Sequence, residues 1–390
     1  MHDPELAYIS FDVVPAPKGA AVHIREFTKV LADTFGTIAL VTVSPSGDTT
    51  IAPTRYHPNV IQTQLPATGK TLIDRALTFR HYLQLWLRDR HFKIIQIRSI
   101  YEGLPVAIDK SKYCDSLIFE VNGLPSIELK YRYPNIASDR ELRHKINRQE
   151  KLCLQRADVV ITPSQVTQNH LISRHIEPRK IRVIPNGVDP DRFPYQCPEM
   201  RSPDEPFRLI YFGVLAKWQG VDLAVRAVAK LTFPAELTII GKGTNSQVKA
   251  LKKRAEKLGI RDRIIYQEAI SQPELVAELH QADAVVIPLT PCDRNTVQGC
   301  CPLKVLEAMA AGVPIIASDL PVVGELATPG EQFFPAKPGS VTAFVEAIAT
   351  LRSNFELRKN LSISARKKVE KNFTWQQSGK SLIEVYQNLI

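Results

Sequence analysis

The chain has 390 residues, 44% hydrophobic and 23% charged, a balance that excludes disordered, collagenous and coiled-coil proteins; at roughly 150 residues per domain it suggests two domains. No apolar run approaches the ~18 to 20 residues of a membrane span, and the opening MHDPELAYISFDVV lacks the basic segment and cleavage site of a secretory leader, so a soluble cytoplasmic protein is expected. The net charge of +10 favours an anionic partner and leaves open nucleic acid, an acidic lipid surface or a phosphorylated small molecule; six cysteines without C-x-x-C spacing fit a reduced compartment and offer no zinc site.

In chain order, β-branched runs at 6–10, 37–43, 93–97, 117–121 and 158–162 alternate with helical patterns, as in a parallel sheet with crossover helices. The rhythm restarts with strands at 207–213, 236–241, 263–267, 284–288 and 314–318, which gives a second α/β domain. Between them a stretch rich in Pro, Asp and Arg reads as a linker at 191–206. The expected division is therefore a domain over 1–190, a second over 207–373, and a last helix within 374–390, beginning near Trp375, that follows the second sheet. Ligands of open parallel sheets bind beyond the carboxyl ends of the strands, so chemistry is sought in an interdomain cleft between two such ends.

Several segments at those ends could carry it. The loop after the first strand brings Gly19, and the helix opening at Ala20 offers an anion-friendly N-terminus, although G-x-G-x-x-G is absent and no dinucleotide is indicated. His23 shares a face with Phe27 and Val30 and fits a core position as well as a substrate contact. Residues 71–93 mix Leu, Phe and Trp with Arg75, Arg80, Arg88, Arg90 and Lys93, which suits either an anionic membrane surface or a crossover helix with a basic solvent face. The fourth strand delivers Glu120 and Asn122 to its end, where they either line the cleft or bond each other and the loop backbone. Asp189-Pro190-Asp191 matches a D-x-D metal pattern but falls at the linker rather than after a strand, so no metal is expected there.

In the second half, the strand ending at Gly213 runs into a loop tipped by Lys217 and Trp218; Lys217 suits a phosphate or plain solvation. A helix is predicted from about 302 to 311, with Pro302 in its first turn and Gly312 as its cap. The amides of Leu303 and Lys304, the dipole and the Lys304 charge suit a diphosphate, and Glu307 on the same side suits vicinal ribose hydroxyls; a solvated Lys–Glu pair on an ordinary amphipathic helix fits the same spacing. The adjacent Cys300 and Cys301 have no base beside them and do not read as a nucleophile.

Taken together, PKGAAVHIREF at 17–27, FEVNGLPSIEL at 119–129, ADVVITPS at 157–164, KIRVIPNGVDPDRF at 180–193, the glycine loop at 213–220, IIGKG at 239–243 and PLKVLEAMAAGVPIIASDLP at 302–321 resemble a family 4 glycosyltransferase of the GT-B fold, in a sub-branch with E-V-N-G and P-L-K-x-x-E motifs. The resemblance implies two Rossmann-like, doubly wound parallel-sheet domains facing an interdomain cleft, with the acceptor on the first and a nucleotide-sugar donor on the second. It also implies a terminal helix crossing back to the first domain. The activity implied is transfer of a hexose with retention, without metal or other cofactor, from a nucleotide-diphosphate sugar to a glycan, lipid-linked or small-molecule acceptor in polysaccharide or glycoconjugate synthesis. Apart from the resemblance, the positive residues are dispersed without aromatic interleaving and do not point to nucleic acid, while the stretch at 71–93 leaves open peripheral contact with an anionic membrane at its inner face.

Carried over by position, Glu307 matches the ribose-binding Glu, Leu303 and Lys304 the phosphate end, and Gly19 with Ala20 the loop that touches phosphate or sugar; Asn122, Glu120 and Lys304 are the catalytic candidates, and His23, Gly213 and Lys217 complete the substrate-binding set. Three positions depart from the family: Gly299 stands where a first carboxylate is expected, Val214 and Gln219 replace the loop's Arg and Lys, and Asn122 replaces a His. Asp293, Asn295 or Gln298 are the alternatives for holding the donor sugar. The rival functions are a nucleotide-sugar-binding protein with little activity and a nucleotide-sugar epimerase.

Overall fold

The structure, a computed structural model, describes residues 4–16, 18–47, 54–134, 138–202 and 204–390. The chain divides into two compact units, one of Met1–Pro185 with Gln376–Ile390 and the other of Asn186–Trp375.

In the first unit an eight-stranded sheet runs in the order β3-β4-β2-β1-β5-β6-β7-β8. The strands are β1 (Leu6–Val13), β2 (Ile38–Val43), β3 (Thr54–His57), β4 (Val60–Leu65), β5 (Phe92–Ile97), β6 (Cys114–Glu120), β7 (Val159–Thr162) and β8 (Ile181–Val183). All pairings are parallel except that of β3, whose half-exposed residues pair antiparallel with β4 at the sheet edge. The inner strands are largely apolar because helices cover both faces, and Ile9, Val41, Ile95, Ile97 and Leu117 are fully buried. The helices are α1 (Gly19–Phe35), α2 (Leu72–Leu87), α3 (Ile100–Ile108), α4 (Lys110–Tyr113), α5 (Pro125–Arg132), α6 (Arg140–Arg156) and α7 (Gln165–Ser173). Connections leave β1 toward β2 on one side and reach β5 on the other, so strand order reverses at β1 and its carboxyl end is the switch point where a ligand crevice forms.

The second unit repeats the logic with six parallel strands in the order β11-β10-β9-β12-β13-β14. They are β9 (Phe207–Phe212), β10 (Ala235–Ile240), β11 (Ile264–Gln267), β12 (Ala284–Ile287), β13 (Ile315–Ser318) and β14 (Phe334–Ala336). Strand order reverses at β9. The helices are α8 (Val221–Ala229), α9 (Asn245–Lys257), α10 (Gln272–Gln281), α11 (Leu303–Ala311), α12 (Pro321–Gly324), α13 (Val341–Ser353) and α14 (Phe355–Asn372). Two loops meet at the β9 end so closely that a Cβ on Gly241 would stand 1.9 Å from the Gly213 carbonyl oxygen, and both glycines have positive φ.

The last helix, α15 (Trp375–Gln387), begins in the second unit and continues in the first, where Gly379 lies against Val30 of α1 and Tyr386 against Phe35. No helix among the described residues is long and apolar enough to cross a membrane.

Four strands escape the sequence reading: β3, β4, β8 and β14. Each is short, edge-placed or polar, so neither alternation nor a long apolar run announces it. The predicted helix at 302–311 begins at Leu303, with Pro302 as the residue before its first turn.

Candidate active site

Most helices of this chain are closed at their N-termini by side chains: Thr71 caps α2, Ser99 caps α3, Thr244 caps α9 and Ser271 caps α10, each in a reciprocal capping box. Helices α5 and α8 lack a side-chain cap but carry Glu128 and Asp222 in the first turn. Helices α1, α4, α11 and α12 have neither a capping side chain nor a first-turn acid, and of these α4 and α12 are four residues long; α1 and α11 are thus the long ones whose positive dipole ends are uncompensated by their own sequence.

In the second unit that uncompensated end carries a buried cation. Lys304, in the first turn of α11, is 8% exposed, and its Nζ donates to Gln219 Oε1 at 2.7 Å and to the Tyr211 hydroxyl at 3.1 Å. The ammonium also sits 4.2 Å from the centre of the Tyr211 ring. No carboxylate of the described residues stands within 4.0 Å of it. Burial therefore pulls the Lys304 ammonium down to about 7, with Glu307 and Cys300 opposing the fall and Arg294 adding to it. Burial likewise pushes the Glu307 carboxyl up to about 7, which Lys304 partly offsets. Glu307 makes no hydrogen bond or ion pair with a described residue. A Cβ on Gly213 would lie 3.1 Å from Lys304 Nζ, so the glycine opens the space beside the charge.

Lys217 is exposed on a short 3-10 turn (Lys217–Gln219), and the cation beside Gly213 is Lys304. Gln219, which stands where the family's loop places a basic residue, accepts from Lys304; the charge missing from the loop is delivered from α11. Asn295, one alternative for holding the donor sugar, is fully buried and donates at 2.9 Å to the carbonyls of both Trp218 and Thr290, so its amide is spent on holding the long 290–301 loop; Asp293 is exposed.

In the first unit, Glu120 at the end of β6 is 1% exposed and is a hub. Its Oε2 accepts from the Tyr8 hydroxyl at 2.6 Å and from Gln96 Nε2 at 2.5 Å. Its Oε1 faces His23 Nε2 at 2.7 Å and accepts from Arg98 Nε at 3.2 Å and from Asn122 Nδ2. Arg98 in turn reaches Asp12 at 3.0 Å, and Asp12 meets Lys18 at 2.5 Å. Burial works against the charge, but the neighbouring His23 and Arg98 and the hydrogen bonds from His23 and Tyr8 hold Glu120 far below the usual carboxylate range.

A carboxylate with both oxygens saturated is a poor base and a poor nucleophile, so Glu120 holds other groups rather than reacting. Of the two arrangements open for Glu120 and Asn122, the structure shows them bonded to each other, with Asn122 half-buried. His23 is 4% exposed, its ring 3.9 Å from that of Phe27, which makes it a buried partner of Glu120. Gly19 is itself the first residue of α1, and with Ala20 it stands at the uncapped start.

The two groups of predicted residues thus gather within their own units: His23, Glu120 and Asn122 in one, Gly213, Lys304, Glu307 and Leu303 in the other. Sequence reasoning missed Tyr8, Gln96, Arg98 and Tyr211; their only signal was a polar residue within or next to an apolar strand. The basic helix at 71–93 is also altered. Arg75 and Arg80 are half-buried and donate to backbone carbonyls of Ala67, Ile100 and Tyr101, whereas Arg88, Arg90 and Lys93 are exposed, Arg90 lying over Trp86 and Lys93 pairing with Glu5. Among the described residues no group of three metal-ligating side chains assembles, and Asp189 is engaged with the Asp191 amide and Arg192.

The family described as glycosyltransferase family 4 matches residues 17–192, and glycosyl transferases group 1 matches 197–368. The glycogen synthase of Mycobacterium tuberculosis is 29% identical over 250 residues, which are 63% of this chain and 58% of that protein, so the chain spans less than two thirds of that relative. Among solved structures, sucrose-phosphate synthase from Thermosynechococcus elongatus superposes with a TM-score of 0.83 at 20% identity over 99% of both chains. The HepE protein of Anabaena, solved with UDP-glucose, gives 0.75 at 16% identity over 98% of this chain and 99% of that one. Both likenesses concern the fold, which is GT-B. With its first half matching one model and its second half the other, the chain belongs to the group 1 and family 4 glycosyltransferases.

Proposed function

We propose that the protein is a retaining, metal-independent hexosyltransferase whose second unit binds the diphosphate of a nucleotide sugar at Lys304. The observation that carries this is the buried Lys304 ammonium, held by two neutral acceptors and no carboxylate, at the uncompensated end of α11 and beside Gly213. A buried charge of that kind is costly until an anion arrives. A diphosphate would satisfy Lys304 and the free amides at Leu303 and Lys304 together, and no divalent ion is required to neutralise the leaving group. Glu307, without a hydrogen bond or ion pair to a described residue, is placed one helical turn on to accept from ribose hydroxyls. HepE was solved with UDP-glucose, which supports a nucleotide sugar as the donor.

In this reading the first unit presents the acceptor side, with Asn122 and the amides of Gly19 and Ala20 as contacts and Glu120 as their anchor. The acceptor is a glycan, lipid-linked or small-molecule hydroxyl, which attacks on the face the diphosphate leaves, and a phosphate oxygen takes its proton. The product belongs to polysaccharide or glycoconjugate synthesis. Peripheral contact with an anionic membrane, where the acceptor is lipid-linked, falls to α6, whose exposed Arg140, Arg143, Arg148 and Lys151 form a basic outer face.

Thermal-shift screening against uridine, guanosine and adenosine diphosphate sugars tests the donor reading, because a ligand that binds the folded state raises the melting point by mass action. Stabilisation by one of them, lost in Lys304→Ala, is expected. Equal stabilisation of both proteins would remove Lys304 from the site.

A further inference from the structure

The Glu120 hub has a continuation that the acceptor-side reading does not use. Tyr386, in the last turn of α15, is 1% exposed and donates its hydroxyl proton to Gln96 Oε1 at 2.7 Å. Gln96, itself fully buried, spends its Nε2 on Glu120 Oε2 at 2.5 Å. A glutamine amide has two chemically different ends, and its orientation is decided by its partners. A hydroxyl donating to the oxygen leaves the nitrogen end for the carboxylate; without it, Gln96 Oε1 is a buried acceptor with nothing to accept, and the amide loses the contact that fixes its rotation. Glu120 then loses one of the two donors on Oε2, while Oε1 keeps His23, Arg98 and Asn122.

We propose that Tyr386 and Gln96 are positioning residues: they form a buried relay through which the C-terminal helix sets the carboxylate plane of Glu120 and, through it, the orientation of His23 and Asn122. The function of the relay rests on the transferase reading, in which Asn122 touches the acceptor; its existence as a coupling does not. The charged neighbours of the hub are Arg98, Asp12 and Lys18, and Tyr8 closes it from β1. No proton is transferred along this path. It fixes geometry, and buried polar networks whose members are all satisfied are the ones that specify a single arrangement.

The test compares Tyr386→Phe with Leu382→Ala, a cavity made by a fully buried side chain one turn earlier on the same helix. The full-length protein labelled with 15N-histidine reports the His23 ring directly, assigned by the signal lost in His23→Gln. Tyr386→Phe is expected to move the His23 ring signals while Leu382→Ala leaves them in place, and to lower kcat about tenfold with the donor KM within twofold. Unmoved His23 signals in Tyr386→Phe, or the same movement in Leu382→Ala, would overturn the relay. Should the parent protein neither bind nor turn over a nucleotide sugar, the transferase reading fails on its own account, and the His23 signals still decide whether Tyr386 is coupled to the hub.

Discussion

Lys304 Nζ and Gln219 Oε1 are 2.7 Å apart although 85 residues separate them, and this contact turns a helix lysine into the cation of a glycine loop. In the proposed donor site the charge therefore comes from α11.

The first prediction concerns that charge. Because burial pulls the Lys304 ammonium down to about 7, a bound diphosphate must restore its proton. Affinity for inorganic pyrophosphate should therefore be strongest below pH 7 and weaken as pH rises toward 8.5, by up to about tenfold per unit where the free site is neutral and the bound site charged. Lys304→Ala should bind about 10- to 100-fold more weakly at pH 6.5 and show a flatter profile. Isothermal titration at pH 6.5, 7.5 and 8.5 measures both. An equally steep profile in Lys304→Ala would assign the effect elsewhere.

The second prediction concerns Glu307, which in the proposed site holds ribose and not phosphate. Glu307→Ala should raise the KM for a nucleotide-sugar donor roughly tenfold, the loss of about one charged hydrogen bond, with kcat nearly intact and pyrophosphate affinity unchanged. Loss of pyrophosphate binding would mean that Glu307 merely supports the Lys304 turn.

Glu102, the capping-box carboxylate of α3, is fully buried, and burial pushes it up to about 7, against which the Ser99 hydroxyl and the amides around it act. The folded value lies above the unfolded one, so the folded state favours the protonated acid. Its contribution is complete below about pH 4 and is lost as pH rises toward 7. Glu102→Gln should therefore gain stability relative to the parent protein between pH 5 and pH 8, by on the order of 2 kcal/mol, read from urea midpoints at the two pH values. A gap that does not change with pH would show that Glu102 is ionised throughout.

The membrane contact is checked by flotation on vesicles with and without phosphatidylglycerol. The Arg143→Glu, Arg148→Glu, Lys151→Glu triple variant should lose anion-dependent binding, at about 1 kcal/mol per cation removed. Flotation of the parent protein that ignores anionic lipid would dispose of the contact.

What was legible in the sequence follows from where each signal lives. The inner strands were readable because a parallel sheet buried on both faces must be written in Ile, Val and Leu, as at Ile94 and Ile95 or Val285 and Val286. β3 and β14 were not, since an edge strand of three or four residues is too short to show a pattern. Lys304 and Glu307 were visible as a pair on one helical face, but that Lys304 turns toward Tyr211 and Gln219 depends on contacts spanning 93 and 85 residues. Glu120 is legible as a polar residue at a strand end. Its saturation by Tyr8, 112 residues away, and by Gln96, Arg98 and His23 cannot be counted from a linear string, so the sequence alone offers it as a reacting group.

Because Gln376–Ile390 cluster with Met1–Pro185, the first unit is written in two instalments separated by the entire second unit. A nascent chain emerging from the ribosome can pair β1 through β8 early, yet the groove on α1 around Val30 and the amide of Gln96 must wait for some 190 further residues before Gly379 and Tyr386 arrive. During that interval the growing polypeptide exposes a seam that its own tail will later seal, so a truncated fragment ending near Pro185 should be aggregation-prone during synthesis while the finished chain is not.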